Sequence, residues 1–190
     1  WPDHLAKRLA REKLPMAVLN LGIGGNRVLD EGAGPSALSR IDRDVLAQPG
    51  ITHVIFLEGI NDIGGARDKA TPGAADVIAG HRQVIELARA RGLKVIGATL
   101  TPFEGANYYT AAGEAKRQAL NEWIRTSKMY DGVIDFDAAL RDPGRPTRTL
   151  PQYDPGDHLH ATGDGYRVMA EAIDLALFKA GVRPAVPSSK

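Results

Sequence analysis

The stretch Asp154-Pro-Gly-Asp-His-Leu-His160 sets two aspartates and two histidines within seven residues, just ahead of an apolar segment with helical spacing. Three residues apart in a loop, Asp157 and His160 can turn toward each other, so that the carboxylate accepts from one imidazole nitrogen. The other nitrogen then faces outward as a general base, and the carboxylate favours the imidazolium that forms during turnover. The same residues allow a second chemistry, in which Asp154, Asp157, His158 and His160 ligate a metal ion. A polar loop without reactive role is the third reading.

Two further stretches carry groups that could act on a substrate. In Glu58-Gly-Ile-Asn61-Asp62, an asparagine just beyond an apolar run either forms a turn or projects a neutral amide donor toward a developing oxyanion. Asp62 reads as a solvated or structural carboxylate. Asn20-Leu-Gly-Ile-Gly-Gly25 partly matches a dinucleotide fingerprint, but the third glycine is replaced by Arg27, and no cofactor is expected. The loop then serves either a turn needing positive φ or a close approach of the Gly25 N–H to a ligand oxygen. Phe103 and Tyr108 lie beyond a later apolar run, where aromatic rings suit a sugar ring or a short acyl chain, or simple loop packing.

These groups must be positioned by regular elements. Leu5, Ala6, Leu9 and Ala10 mark an opening helix. Met16–Leu21, Thr52–Leu57, Leu93–Ala98 and Gly132–Asp135 read as short buried strands. Helices are expected around Leu38–Val45, after Pro72 to Gly92, around Ala115–Ile124, and from an N-cap at Thr162 to Gly181. Alternation of this kind specifies an α/β fold, a three-layer α/β/α sandwich with a mostly parallel, flavodoxin-like sheet. In such sheets ligands bind beyond the carboxyl ends of the strands, where all four polar stretches fall. Residues 1–181 are expected to form a single domain, followed by a tail over 182–190.

The totals narrow the partners. Twenty-four Lys+Arg balance 23 Asp+Glu without a basic block, which argues against nucleic acid as the main partner. The absence of cysteine removes disulfides, thiol chemistry and Cys-based zinc sites. No apolar run is long enough to span a bilayer, for which about 20 residues are needed. The chain begins at Trp1 without a methionine, so the compartment stays open, with a secreted protein favoured over a cytoplasmic one.

Taken in order, the pieces resemble the SGNH/GDSL hydrolases. The block pairing an asparagine with a glycine five residues on is matched by Asn20 and Gly25. Gly-x-Asn-Asp is matched by Gly59–Asp62, and Asp-x-x-His by Asp157–His160. The resemblance implies a serine esterase in which Gly25 N–H and the Asn61 amide form an oxyanion hole, His160 is the base and Asp157 orients it. No Gly-x-Ser-x-Gly elbow is present, which sets the chain apart from the α/β-hydrolases. The substrate expected is a small-molecule or carbohydrate ester, an O-acetyl group on a sugar being favoured over a long-chain lipid.

One block of that family is not matched. Its Gly-Asp-Ser nucleophile sits on the turn after a central first strand, and none of Ser36, Ser39, Ser127, Ser188 or Ser189 has such a setting. An upstream segment of the same polypeptide is therefore expected to supply both the serine and the central strand, between the strands at Met16–Leu21 and Thr52–Leu57. Without that strand two sheet edges would carry unpaired backbone groups, each costing about 1–3 kcal/mol when kept from water.

Overall fold

The computed structural model describes residues 1–65 and 71–179. Its main sheet has three parallel strands, β1 (His53–Phe56), β2 (Lys94–Ala98) and β3 (Gly132–Ile134), in the order β1-β2-β3. Val54 pairs with Val95, and Gly97 with Val133. Helix α1 (Pro2–Arg11) opens the chain. Helix α2 (Ala37–Ile41) runs on as a π turn over Asp42–Leu46, and α3 (Ile60–Gly64) follows β1 after a three-residue turn. The crossovers are α4 (Ala74–Ala90), between β1 and β2, and α5 (Ala111–Thr126), between β2 and β3. Helix α6 (Phe136–Leu140), a small hairpin of β4 (Arg141–Asp142) and β5 (Arg145–Thr149), and α7 (Gly163–Glu171) complete the order.

Strand β2 shows why the arrangement is three-layered. Successive side chains of a strand point to opposite faces. Val95 joins the cluster built from α4 and α5 through Val77, Val84, Ile85, Ala88, Leu120 and Ile124. Ile96 and Ala98 join the opposite cluster, built from α1, α6 and α7 through Leu5, Leu9, Phe136, Leu140 and Met169. Covered on both faces, β2 is buried from Val95 to Ala98.

The helix starts follow their caps. The Ser36 hydroxyl accepts from Ser39 N at 3.1 Å, Thr110 from Gly113 N at 2.9 Å, and Thr162 from Gly165 N at 3.2 Å. At the C-terminal end the expected helix stops early. It closes at Glu171, and the Asp174 side chain caps a fresh 3₁₀ turn over Leu175–Phe178 by accepting from Ala176 N. Gly181 and the tail over 182–190 lie outside the described residues.

One expected strand is corrected. Met16–Leu21 is not a strand. Met16 and Val18 are half-buried against the α1/α6/α7 cluster while Ala17 and Leu19 face out, Leu19 at 58 % exposure, so the side chains alternate as a strand's do. The segment nevertheless has no backbone ladder among the described residues, and a strand exists only by pairing. The outer edge of β1 is likewise unpaired among them, and His53, Val54 and Ile55 stay only half-buried where β2 is fully covered. The β4–β5 hairpin was not foreseen. Its turn is signalled by Asp142-Pro-Gly144, where the Asp142 carboxylate accepts from Gly144 N at 2.8 Å.

Candidate active site

Asp157 and His160 pair, as their spacing allows. His160 Nδ1 lies 2.7 Å from Asp157 Oδ2, while Oδ1 accepts from Leu159 N at 3.0 Å and His160 N at 2.9 Å. The imidazole bond and the two backbone donors hold the Asp157 carboxyl down at about 2, so it is ionised wherever the base must work. With Nδ1 engaged, Nε2 is the nitrogen left to exchange protons. Both side chains are open to solvent, His160 at 61 % and Asp157 at 50 %.

The other Asp and His of the loop pair with each other. Asp154 accepts from His158 Nδ1 and, through Oδ1, from Gly156 N at 2.8 Å and His158 N at 3.1 Å. The His158 ring rests on Gly105 of the loop after β2. The four residues that could have ligated one metal ion are thus divided between two dyads. Among the described residues no group of three or more His, Asp or Glu is placed to hold a metal.

Asn61 stands on the first turn of α3, carried past the end of β1 by the turn at Gly59. The adjacent Asp62 is structural. It is 2 % exposed, and its carboxylate accepts from Val28 N at 2.8 Å and Leu29 N at 3.0 Å. Burial raises its pKa, and those two N–H groups oppose the rise. The glycine loop is thereby pinned against α3. Gly25, at φ +79°, adopts a left-handed conformation, and a Cβ there would come within 3.0 Å of the Ala33 Cβ.

Gly25, Asn61 and Tyr108 line one open cleft of ≈ 470 Å³ together with Arg27, Asn107, Tyr109 and Thr110. His160 is not part of that lining. The tie between cleft and dyad is Tyr108, whose hydroxyl is pushed up to about 12 by burial and then by the nearby Asp157 charge. The Tyr108 ring lies close against α3, where a Cβ at Gly64 would fall 2.1 Å from it. Phe103 does not line the cleft, contrary to its expected contact with substrate. At 1 % exposure it backs the wall, with its ring edge-to-face on Tyr109 at 5.0 Å.

Several supporting residues were not foreseen. Asn26 and Arg40, both buried, brace the glycine loop. Glu104 ties the loop after β2 to the β4–β5 hairpin through Thr147, Arg145 and Arg148. The described serines are engaged elsewhere: Ser36 and Ser39 in the α2 cap, and Ser127 accepting from Met129 N.

With this geometry in place, the family model of the GDSL-like lipase/acylhydrolase family matches residues 1–168. The chain belongs to that family. It is a GDSL-type ester hydrolase. Among solved structures it is similar to a carbohydrate acetylesterase, Est24, from Sinorhizobium meliloti (13% identity, 90% of this chain and 81% of the other, TM-score 0.70). It is also similar to an aryl esterase from M. smegmatis (16%, 90% and 81%, 0.69). A third is an acetyl xylan esterase, AlAXEase (19%, 90% and 87%, 0.68). At these identities the likeness establishes the fold, an α/β arrangement of a parallel sheet with helices. No curated protein matches the chain.

Proposed function

We propose that the protein is a serine esterase that cleaves small carboxylic esters, O-acetyl groups on carbohydrate foremost, through an acyl-enzyme. The observation that carries the reading is the Asp157–His160 pair, with Nδ1 held at 2.7 Å and Nε2 left for the proton of a nucleophile. In this scheme His160 takes the serine proton as the hydroxyl attacks the ester carbonyl. Gly25 N–H and the Asn61 amide hold the oxyanion, and His160 then protonates the leaving alcohol. Water repeats the sequence on the acyl-enzyme. The serine comes from an upstream segment of the same polypeptide, whose strand would lie between β1 and Met16–Leu21. The outer edge of β1 and the alternating Met16–Leu21 run, both without a ladder partner there among the described residues, support that placement. A cleft of ≈ 470 Å³ walled by Tyr108, Tyr109 and Asn107 favours a short acyl group or a sugar ring. Two of the similar structures bear names of acetylesterases acting on carbohydrate or xylan.

The test uses the full natural polypeptide, with a fluorophosphonate probe, a p-nitrophenyl ester series of increasing chain length, and acetyl-xylan. Labelling of one upstream serine and turnover falling beyond the shortest acyl chains are expected. An unlabelled protein that binds such esters without cleaving them would replace the esterase by a binding relative.

A further inference from the structure

The amide of Asn61 is held at both ends. Its Nδ2 donates to the Asn26 carbonyl at 3.0 Å, and its Oδ1 accepts from the Tyr108 hydroxyl at 3.3 Å. Each anchor is itself fixed. Asn26 is 1 % exposed; its Nδ2 donates to Pro35 O at 2.8 Å, and its Oδ1 accepts from Arg40 Nε at 3.0 Å and Nη2 at 2.8 Å. Arg40 also donates from Nη1 to Leu21 O at 2.7 Å, so one guanidinium grips the glycine loop on both sides of Gly25. Tyr108 is immobilised by its ring on Gly64.

An asparagine side chain can flip, exchanging oxygen for nitrogen. Here a flip would set Oδ1 against the Asn26 carbonyl, two acceptors with no proton between them, and would remove the acceptor Tyr108 uses. We propose that Tyr108 is a positioning residue, which with the Asn26 carbonyl fixes the Asn61 amide so that its second N–H is presented to the cleft. The inference rests on the esterase reading for its kinetic consequence, but the clamp is a physical arrangement in its own right. It gives Tyr108 a task other than contact with the substrate through its hydroxyl. The hydroxyl is suited to it, because burial and the Asp157 charge keep it protonated, and so a donor, through the working pH range.

Tyr108→Phe removes the hydroxyl and keeps the ring on Gly64, so the variant is expected to fold. In the full polypeptide, with turnover normalised to sites titrated by fluorophosphonate, kcat on p-nitrophenyl acetate should fall roughly 5–10-fold with KM kept. That is the scale of one neutral hydrogen bond, and short of the 10²–10³ for losing the donor itself. In an Asn61→Ala background the same change should cost nothing further, since its only route to the reaction has gone. An equal loss in both backgrounds, or a raised KM with kcat kept, overturns the proposal. The arm independent of catalysis is NMR. The Asn61 side-chain amide protons, assigned by their loss in Asn61→Asp, should shift and exchange faster in Tyr108→Phe. An unmoved amide in an active enzyme defeats the clamp, whereas a shifted amide in a hydrolytically silent wild type defeats the esterase reading and leaves the clamp standing.

Discussion

The two halves of the candidate site are held in opposite ways. The base corner is local: every hydrogen bond from Asp157 runs within three residues along the chain, and both members of the pair face solvent. The oxyanion corner is non-local. Asp62 reaches back 34 residues to Val28, Asn61 reaches 35 to Asn26, and Tyr108 reaches 47 to Asn61. A loop that braces itself can be changed without disturbing the fold. A corner assembled from distant segments shares its supports with the core, so its chemistry and its stability are coupled.

The sharpest test of that contrast is His160→Ala in the full polypeptide. Turnover should fall by several orders of magnitude while the melting temperature stays within about a degree or two, as for loss of an exposed base. A large drop in melting temperature would erase the distinction drawn between the corners. Asn61→Ala comes next, at roughly 10²–10³ in kcat for one oxyanion donor. Asp62→Ala leaves Val28 N and Leu29 N without their acceptor. It should destabilise the protein by about 2–5 kcal/mol in chemical denaturation and lower turnover as well. Unchanged stability there would show that the glycine loop does not depend on α3.

Acidity should act on the same corner. His81 is wholly buried beneath the turn before Gly59, with Nε2 3.2 Å from Glu58 O and Nδ1 2.6 Å from the Tyr130 hydroxyl. Burial pulls it from 6.5 down to about 4. Between those values the unfolded chain takes up a proton that the native state refuses. The stability is complete above pH 6.5 and is lost as pH falls toward 4, by up to roughly 3 kcal/mol. Glu58 works the other way. Burial raises it to about 8 against the pull of Arg40, so stability declines as pH climbs from 4.5 to 8. Denaturant melts across this range should lose the upper decline in Glu58→Gln; a decline that persists would assign it to other groups. The smallest effect is reserved for His158→Ala. Its ring braces Gly105 and its partner is Asp154, so turnover should drop only a few-fold. A loss as deep as that of His160→Ala would exchange the roles of the two dyads.

The contrast also explains what could be read from the sequence. Asp157 and His160 were legible because three residues of loop suffice to join them, and Thr162 because a cap acts on its own helix. The parallel sense of β1, β2 and β3 followed from alternating apolar runs and crossovers. Asn26 and Arg40 gave no local signal, because their partners, Leu21, Pro35 and Asn61, lie 9 to 35 residues away and meet them only in the folded chain. Phe103 was misread for the same reason. Aromaticity beyond a strand says that a ring packs there, but not whether it faces the cleft or, as here, stands behind Tyr109. Met16–Leu21 had a strand's alternation yet no neighbour to make it one among the described residues.

The close seat of Tyr108 on α3 has a bearing on any attempt to retune selectivity. Even the smallest side chain introduced at position 64 would evict the ring and take the asparagine's anchor with it. Asn107, exposed on the rim, has no such obligation. Directed libraries should therefore leave the glycine alone and spend their diversity at the rim, where new shapes can be tried without loosening the machinery beneath.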